Sequence, residues 1–190
     1  MNHVPGGGWV RHGELEPVRT HNFCIRRDGV TRPDGSRYVY EYQEIGHGAA
    51  VVAQRADGKI ALVRVWHYLH GDTLNLPGGT VHRGESPEQA ALHELEEETG
   101  FTAKKLTPLT VTRLLNRSTV RLHLFTAAGL APGRRRLSSN ESGMTLEWWD
   151  LPDAVAAAAD GSLTMAGGAL GVLLFAERTR SGHQAAGSRS

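Results

Sequence analysis

"GTVHRGESPEQAALHELEEETGF", Gly79–Phe101, sets four glutamates within five residues: Glu94, Glu96, Glu97 and Glu98. Like charges three or four residues apart on a helix repel by roughly 0.2–0.5 kcal/mol per pair. The segment is nonetheless written as a helix. Ser86 suits the N-cap, Pro87 the first helical position and Gln89 the third, which completes a capping box. Gly100 stands where a left-handed residue ends a helix. At about 100° per residue, Ala91, Leu92, Leu95 and Thr99 form the predicted core stripe. Glu94, Glu97 and Glu98 share a second face at i, i+3, i+4, and Glu96 is expected to face solvent. The three carboxylates fall in the C-terminal half, where the helix dipole disfavours anions. No Lys or Arg between Ser86 and Ala103 offsets them. Either the face is simply solvated, or a hard divalent cation such as Mg²⁺ gathers the carboxylate oxygens. The adjoining Gly78-Gly79 allows close backbone approach and offers a carbonyl as a further oxygen ligand. Glu85, just before the cap, can brace the loop against the helix.

On either side the chain reads as strands. Upstream, residues 18–46 hold two or three strands broken at Asp28-Gly29 and Asp34-Gly35. Next, "AAVVAQRADGKIALVRVWHY" is predicted to be a hairpin turning at Asp57-Gly58, and "TLNLPGG" a short strand. Downstream, "LTPLTVTRLL", "VRLHLFTAAGL" and "TLEWWDL" read as strands, and "LPDAVAAAADG" as a helix stopped by Gly161. A last helix, "TMAGGALGVLLFAERT", carries three glycines that each weaken it by about 1 kcal/mol relative to alanine. There is no regular βαβ alternation, which argues for a mixed sheet between helices.

Composition narrows the setting. The 190 residues are 39% hydrophobic and 22% charged, with a formal charge of +1, so no one-signed field points to nucleic acid or a membrane surface. No apolar run reaches the roughly 18–20 residues of a membrane span. The N-terminal stretch has no apolar core of a secretory signal, and the lone Cys24, read as a buried inert thiol, fits a cytoplasmic protein. Residues 1–8 are expected to be flexible, 9–47 to form an N-terminal strand element, 48–177 the main domain and 178–190 a disordered tail.

The acidic segment resembles the Nudix hydrolase signature, G-x5-E-x7-R-E-U-x-E-E-x-G-U with U a bulky apolar residue. Gly79, Glu85, Glu94, Leu95, Glu97, Glu98, Gly100 and Phe101 match, and His93 replaces the arginine. "LVRVWHYLHGDTLNLPGGTVHRGES" is similar to the ADP-ribose and sugar-nucleotide branch, and the likeness runs over roughly residues 18–177. His67 stands where that branch has a second basic arginine, and the proline expected about fifteen residues after the signature is absent from "LLNRSTV". The resemblance implies an α/β (α+β) fold, an α/β/α sandwich around a mixed β-sheet with an N-terminal antiparallel strand element that commonly forms a homodimer.

It also implies the chemistry. Glu94, Glu97 and Glu98 would hold Mg²⁺ or Mn²⁺ with the Gly78 carbonyl, and Gly79, Glu85 and His93 would support the site. The substrate would be a nucleoside diphosphate derivative, a sugar nucleotide or ADP-ribose-like compound, cleaved at its pyrophosphate bond. Glu97 or Glu98, or Glu141 in the loop "RRRLSSNESGM", would be the general base; Glu147, in a strand, is the weaker choice. Arg64 reads equally as a phosphate contact or a sheet-surface cation, with His67 beside it. Arg113, Arg117 and the run 133–136 are weaker phosphate candidates, and Trp66, Tyr68, Trp148 and Trp149 are either stacking or core aromatics. The competing function is a catalytically weak Nudix module that binds a nucleotide ligand in a regulatory or scaffolding role. His93 favours that reading and the complete glutamate set opposes it. A plain structural domain leaves the acidic helix unexplained.

Overall fold

The computed structural model of the chain describes residues 6–21 and 23–187. They form two compact units. The smaller runs to Gly46 and takes in Arg113–Val120. It is a three-stranded antiparallel sheet in the order β1 (Val10–Arg19), β2 (Cys24–Thr31), β3 (Arg37–Glu44). Asp34-Gly35 makes the expected turn, with Gly35 at φ 82°. Asp28-Gly29 does not: it lies inside β2, where the Arg11 guanidinium grips both Asp28 carboxylate oxygens at 2.9 and 2.8 Å. That fork removes the charge penalty of an aspartate in a strand. Arg117 is likewise committed here, donating to the Tyr38 hydroxyl at 3.1 Å and lying 4.8 Å over the Tyr40 ring. Cys24 is half-buried rather than buried, on β2.

The larger unit holds the remaining strands and all three helices. One sheet has the order β7 (Gly78–Thr80), β4 (Gly48–Ala53), β9 (Arg121–Pro132), β8 (Phe101–Arg113). β4 pairs antiparallel with β7 and parallel with β9, so this sheet is mixed. A second sheet has the order β10 (Thr145–Trp149), β5 (Ile60–His67), β6 (Gly71–Asn75). The Asp57-Gly58 turn forms, with Gly58 at φ 90°, but β4 and β5 part from it into different sheets, bridged in isolation at Gln54 and Ile60.

Strand alternation makes the layers. Ala49, Val51 and Ala53 of β4, with Ala61 of β5, pack against Ala90, Ala91 and Leu95 of α1 (Pro87–Thr99). Ala50, Val52, Ile60 and Leu62, on the other side, pack against Ala154 and Ala157 of α2 (Leu151–Asp160) and Val172 of α3 (Ala166–Gly187). Consecutive residues point to opposite faces of a strand, so both faces of β4 and β5 are apolar and covered. The expected sandwich of helices about mixed strands is what forms. No helix among the described residues is long and apolar enough to cross a membrane.

Two expectations about α3 are corrected. The tail placed at 178–190 is helical to Gly187, and residues 188–190 lie outside the described ones. Arg178 anchors its start, donating to the Pro108 and Leu109 carbonyls at 3.0 and 2.6 Å. The glycines of α3 are close-contact positions. A Cβ at Gly167, Gly168 or Gly171 would lie 2.3 Å from Leu122 Cδ2, 2.1 Å from Asn75 Oδ1 or 2.6 Å from Leu76 Cδ1. Their intrinsic helical cost is offset by close packing that a larger residue would keep only if Leu122, Asn75 or Leu76 moved aside.

Candidate active site

Helix α1 is capped as its sequence predicts. The Ser86 hydroxyl accepts from the Gln89 backbone N–H, the Gln89 side chain accepts from the Ser86 N–H, and Gly100 closes the helix at φ 76°. The buried stripe differs from expectation. Ala90, Ala91, Leu95, Glu98 and Thr99 are buried, whereas Leu92 is 37% exposed. The core face is rotated so that it takes in a carboxylate, Glu98, only 4% exposed.

Burial of an anion needs compensation. Glu98 Oε2 accepts one hydrogen bond, from the Gly78 N–H at 2.8 Å. That bond is outweighed: burial, with repulsion from Glu94 and Glu141, pushes the Glu98 carboxyl up to about 8. Burial also raises Glu94, with Glu141 and Glu97 adding repulsion. Glu94, Glu98 and Glu141 therefore share one electrostatic neighbourhood, although Glu141 is more than forty positions further along the chain. Glu141 ends a 3-10 turn, Ser139–Glu141, with its carboxylate held by the Ser138 N–H and hydroxyl at 3.1 and 2.8 Å.

The two glycines fit this cluster sterically. Gly78 and Gly79 lie on β7, opposite Ala50 and Ala49. A Cβ on Gly79 would meet Glu94 Oε1 at 2.0 Å. The close approach inferred from Gly78-Gly79 is thus to the Glu94 carboxylate and to the β4 backbone. His93 stands between two carboxylates, its Nε2 3.3 Å from Glu97 Oε1 and its Nδ1 3.7 Å from Glu85 Oε1. Glu85 also accepts from the His82 N–H at 3.2 Å, tightening the loop before the cap.

Chemically this is a set of hard oxygen donors whose mutual repulsion and burial disfavour the unliganded anions, which fits a divalent cation. Among the described residues no three His, Cys, Asp or Glu side chains stand close enough to enclose an ion as they are; Glu97 lies against His93.

Two residues, Glu96 and Arg135, depart from their sequence reading, and Arg64 takes the sheet-surface place that was one of its two. Glu96 is half-buried and accepts from the Arg134 N–H at 3.1 Å, so it does not simply face solvent. Arg64 is engaged by Glu147 at 2.5 Å and by Asp72 at 3.0 Å, and Glu147 also accepts from the Trp149 indole N–H at 2.8 Å. Its guanidinium is braced on the β5 surface. Arg135, read within the run 133–136 as a weaker phosphate candidate, donates to the Glu98 carbonyl at 2.7 Å and to the Met144 carbonyl at 2.8 Å. It supplies at the C-terminus of α1 the cation that the helix's own sequence lacks. Periodicity gave no sign of it, because it lies 37 residues beyond the carbonyl it caps. His67 is exposed at the end of β5, as are Trp66 and Tyr68 nearby. Trp148 packs edge-on to Phe101, and Trp149 packs against the core on the α2 side.

A family model described as "NUDIX domain" matches residues 45–166. An ADP-ribose pyrophosphatase of Bacillus subtilis (strain 168) is 40% identical over 84 residues, 44% of this chain and 45% of that protein. An ADP-ribose pyrophosphatase of Mycobacterium tuberculosis (strain ATCC 25618 / H37Rv) is 33% identical over 138 residues, 70% of this chain and 66% of that protein. The chain thus spans about half to two thirds of the length of these curated relatives. A solved structure described as "Crystal structure of ADP compounds hydrolase" superposes with a TM-score of 0.81 over 92% of this chain and 96% of that one, at 21% identity, a likeness of fold. With the glycines of β7, the capped acidic helix and the covered mixed sheet all inside the matched span, the chain belongs to the NUDIX domain family.

Proposed function

We propose that the protein hydrolyses the pyrophosphate bond of a nucleoside diphosphate linked to another moiety, a sugar nucleotide or ADP-ribose-like compound, with Mg²⁺ or Mn²⁺. The observation that carries this reading is the burial of Glu98 beside Glu94 at Gly78-Gly79, an arrangement that costs stability without a cation. The names of the two pyrophosphatase relatives support the substrate class. Glu94, Glu97 and Glu98 would hold the ion, with the Gly78 carbonyl as a further oxygen. The ion would supply neutralisation of the diphosphate charge and activation of a water. Glu141 would accept the proton of that water, with Glu97 and Glu98 as the other acceptors read from the signature. His67, exposed at the end of β5, would be freer than Arg64 to meet a ligand, since Arg64 would first have to leave Glu147 and Asp72. The N-terminal sheet exposes Val10, Leu15, Val18 and Val39, which supports a homodimer.

A panel of nucleoside diphosphate derivatives, each with and without Mg²⁺ and followed by phosphatase-coupled phosphate release, tests the activity. Within it, Glu141→Gln should lower kcat with little change in KM, because a general base acts in the transition state. An unchanged kcat would move the base to α1.

One observation favours the second reading, a nucleotide-binding module of low activity. The two ring nitrogens of an imidazole point apart, so His93 cannot grip a carboxylate by two parallel bonds as an arginine fork would. His93→Arg should raise kcat/KM by about 10-fold if one charge-assisted contact of about 1.4 kcal/mol is restored. No gain over a normally active wild type would show that His93 is compensated elsewhere. Tight nucleotide binding with no turnover in either protein would establish the module.

A further inference from the structure

The last carbonyls of a helix have no partner within it and must find one outside. In α1 the Gly100 N–H meets the Glu96 carbonyl, and a distant segment meets those that follow. The Gly133 N–H donates to the Gly100 carbonyl at 2.7 Å, the Arg136 N–H to the Glu97 carbonyl at 2.9 Å, and Arg135 Nε to the Glu98 carbonyl at 2.7 Å. The Arg134 N–H adds the bond to the Glu96 side chain. Residues 133–136 therefore lie as a strap across the C-terminal end of the acidic helix.

The strap leads directly into the turn that carries Glu141. There the Met144 N–H donates to the Glu141 carbonyl at 2.7 Å, and the Glu141 N–H to the Ser138 carbonyl at 3.1 Å. Arg135 touches both ends of this segment, since its second nitrogen, Nη2, reaches the Met144 carbonyl at 2.8 Å. One planar guanidinium thus ties the helix bearing Glu94, Glu97 and Glu98 to the far side of the loop bearing Glu141. Met144 is itself buried with Val63 and Val65, so the tie ends on a fixed point of the β5 layer. A guanidinium can serve two divergent carbonyls because its donors are held rigidly in one plane, which a lysine ammonium on a flexible stem does not reproduce.

We infer that Arg135 is a positioning residue that holds Glu141 at a fixed place relative to the acidic helix by bridging the Glu98 and Met144 carbonyls. The inference rests on the hydrolase reading of the site, and it concerns the loop rather than ion binding. It separates two roles that a general stabiliser would blend. A structural role alone predicts the same fractional loss of activity whatever residue stands at 141. A positioning role predicts a loss that vanishes once Glu141 is disabled.

The test is a double-mutant cycle on the full chain with Mg²⁺, together with amide hydrogen exchange on the metal-free protein. Arg135→Ala should lower kcat about 10-fold or more, leave KM within about twofold, and cause no further loss in a Glu141→Gln background. Arg135→Lys, the variant to use if Arg135→Ala folds poorly, should recover only part of the loss. Exchange at the Met144 amide should speed up in either variant, while amides in the middle of α1 keep their wild-type rates. The same fractional loss in both backgrounds, a silent Glu141→Gln, an unchanged kcat in Arg135→Ala, or unchanged exchange at Met144 would each overturn the inference. Wild type inert on every diphosphate tested would instead overturn the hydrolase reading; the exchange comparison still decides whether Arg135 holds the loop.

Discussion

Glu98→Gln is expected to abolish most turnover while making the metal-free protein more stable at alkaline pH. The carboxyl is 4% exposed and sits near 8, against an ordinary value of 4.5. A folded-state value above the unfolded one means that the folded protein holds the extra proton between pH 4.5 and 8. Stability is therefore full at the acid end and falls as pH rises through that window. At about 1.4 kcal/mol per unit, the fall amounts to roughly 3–5 kcal/mol by pH 8. Glutamine cannot ionise, keeps an oxygen for the Gly78 N–H, and removes repulsion with Glu94 and Glu141. Its new N–H₂ group lacks an assured partner, at a cost of about 1–3 kcal/mol. Near pH 5 the two proteins should melt within a few degrees of each other, with the variant lower. Above pH 8 the variant should be ahead by several degrees, at about 2–4 °C per kcal/mol for a chain of this size. Saturating Mg²⁺ should narrow the gap by stabilising wild type. Thermal melts in EDTA from pH 5 to 9 provide the measurement, and parallel curves for the two proteins would sink the account of Glu98.

That burial was only half legible in the sequence. The helix caps were readable because Ser86, Gln89 and Gly100 act on neighbours one turn away. The orientation of the helix was not. Counting by 100° placed Leu92 inside, but the cluster that α1 shares with Ala49, Val51, Ala53, Phe125 and Ala127 takes up a different stripe. There Ala90, Ala91 and Leu95 take the buried positions, Leu92 is left outside and Glu98 is turned in. The dipole argument was also incomplete. The lack of Lys or Arg in α1 pointed to a cation, yet one positive group at that helix end is Arg135, from a segment far along the chain. Local sequence reports local bonds. It showed the turn at Asp57-Gly58, while the assignment of β4 and β5 to separate sheets depends on partners such as Leu122–Ala127 and Gly71–Asn75. For the same reason 178–187, small and polar, read as tail until Arg178 found its two carbonyls.

Gly78→Ala and Gly79→Ala, adjacent and chemically identical changes, are expected to fail in different ways. Neither glycine has a positive φ, so the demand for glycine here is for space, not for backbone freedom. At Gly78 an added Cβ would lie 2.4 Å from the Ala49 carbonyl oxygen, 2.6 Å from Ala50 Cβ and 2.7 Å from Ala50 Cα. None of these can swing away, because all belong to the central strand β4 or to its shortest side chain. The β7–β4 pairing must open, which should cost about 3 kcal/mol or more, at the upper end of overpacking penalties. The Gly78 N–H would also leave Glu98, so stability and activity fall together. At Gly79 the added Cβ would meet Glu94 Oε1 at 2.0 Å and Cδ at 2.5 Å. That obstacle is the end of a flexible side chain, and a rotamer change clears it for about 1 kcal/mol. Gly79→Ala should therefore fold nearly as well as wild type and yet lose most turnover, because Glu94 can no longer lie beside Glu98. Paired measurements of melting temperature and kcat separate the cases. Equal destabilisation at both positions would show that Gly79, like Gly78, serves the sheet. Full activity in Gly79→Ala would remove Glu94 from the site and leave Glu97, Glu98 and Glu141 to carry it.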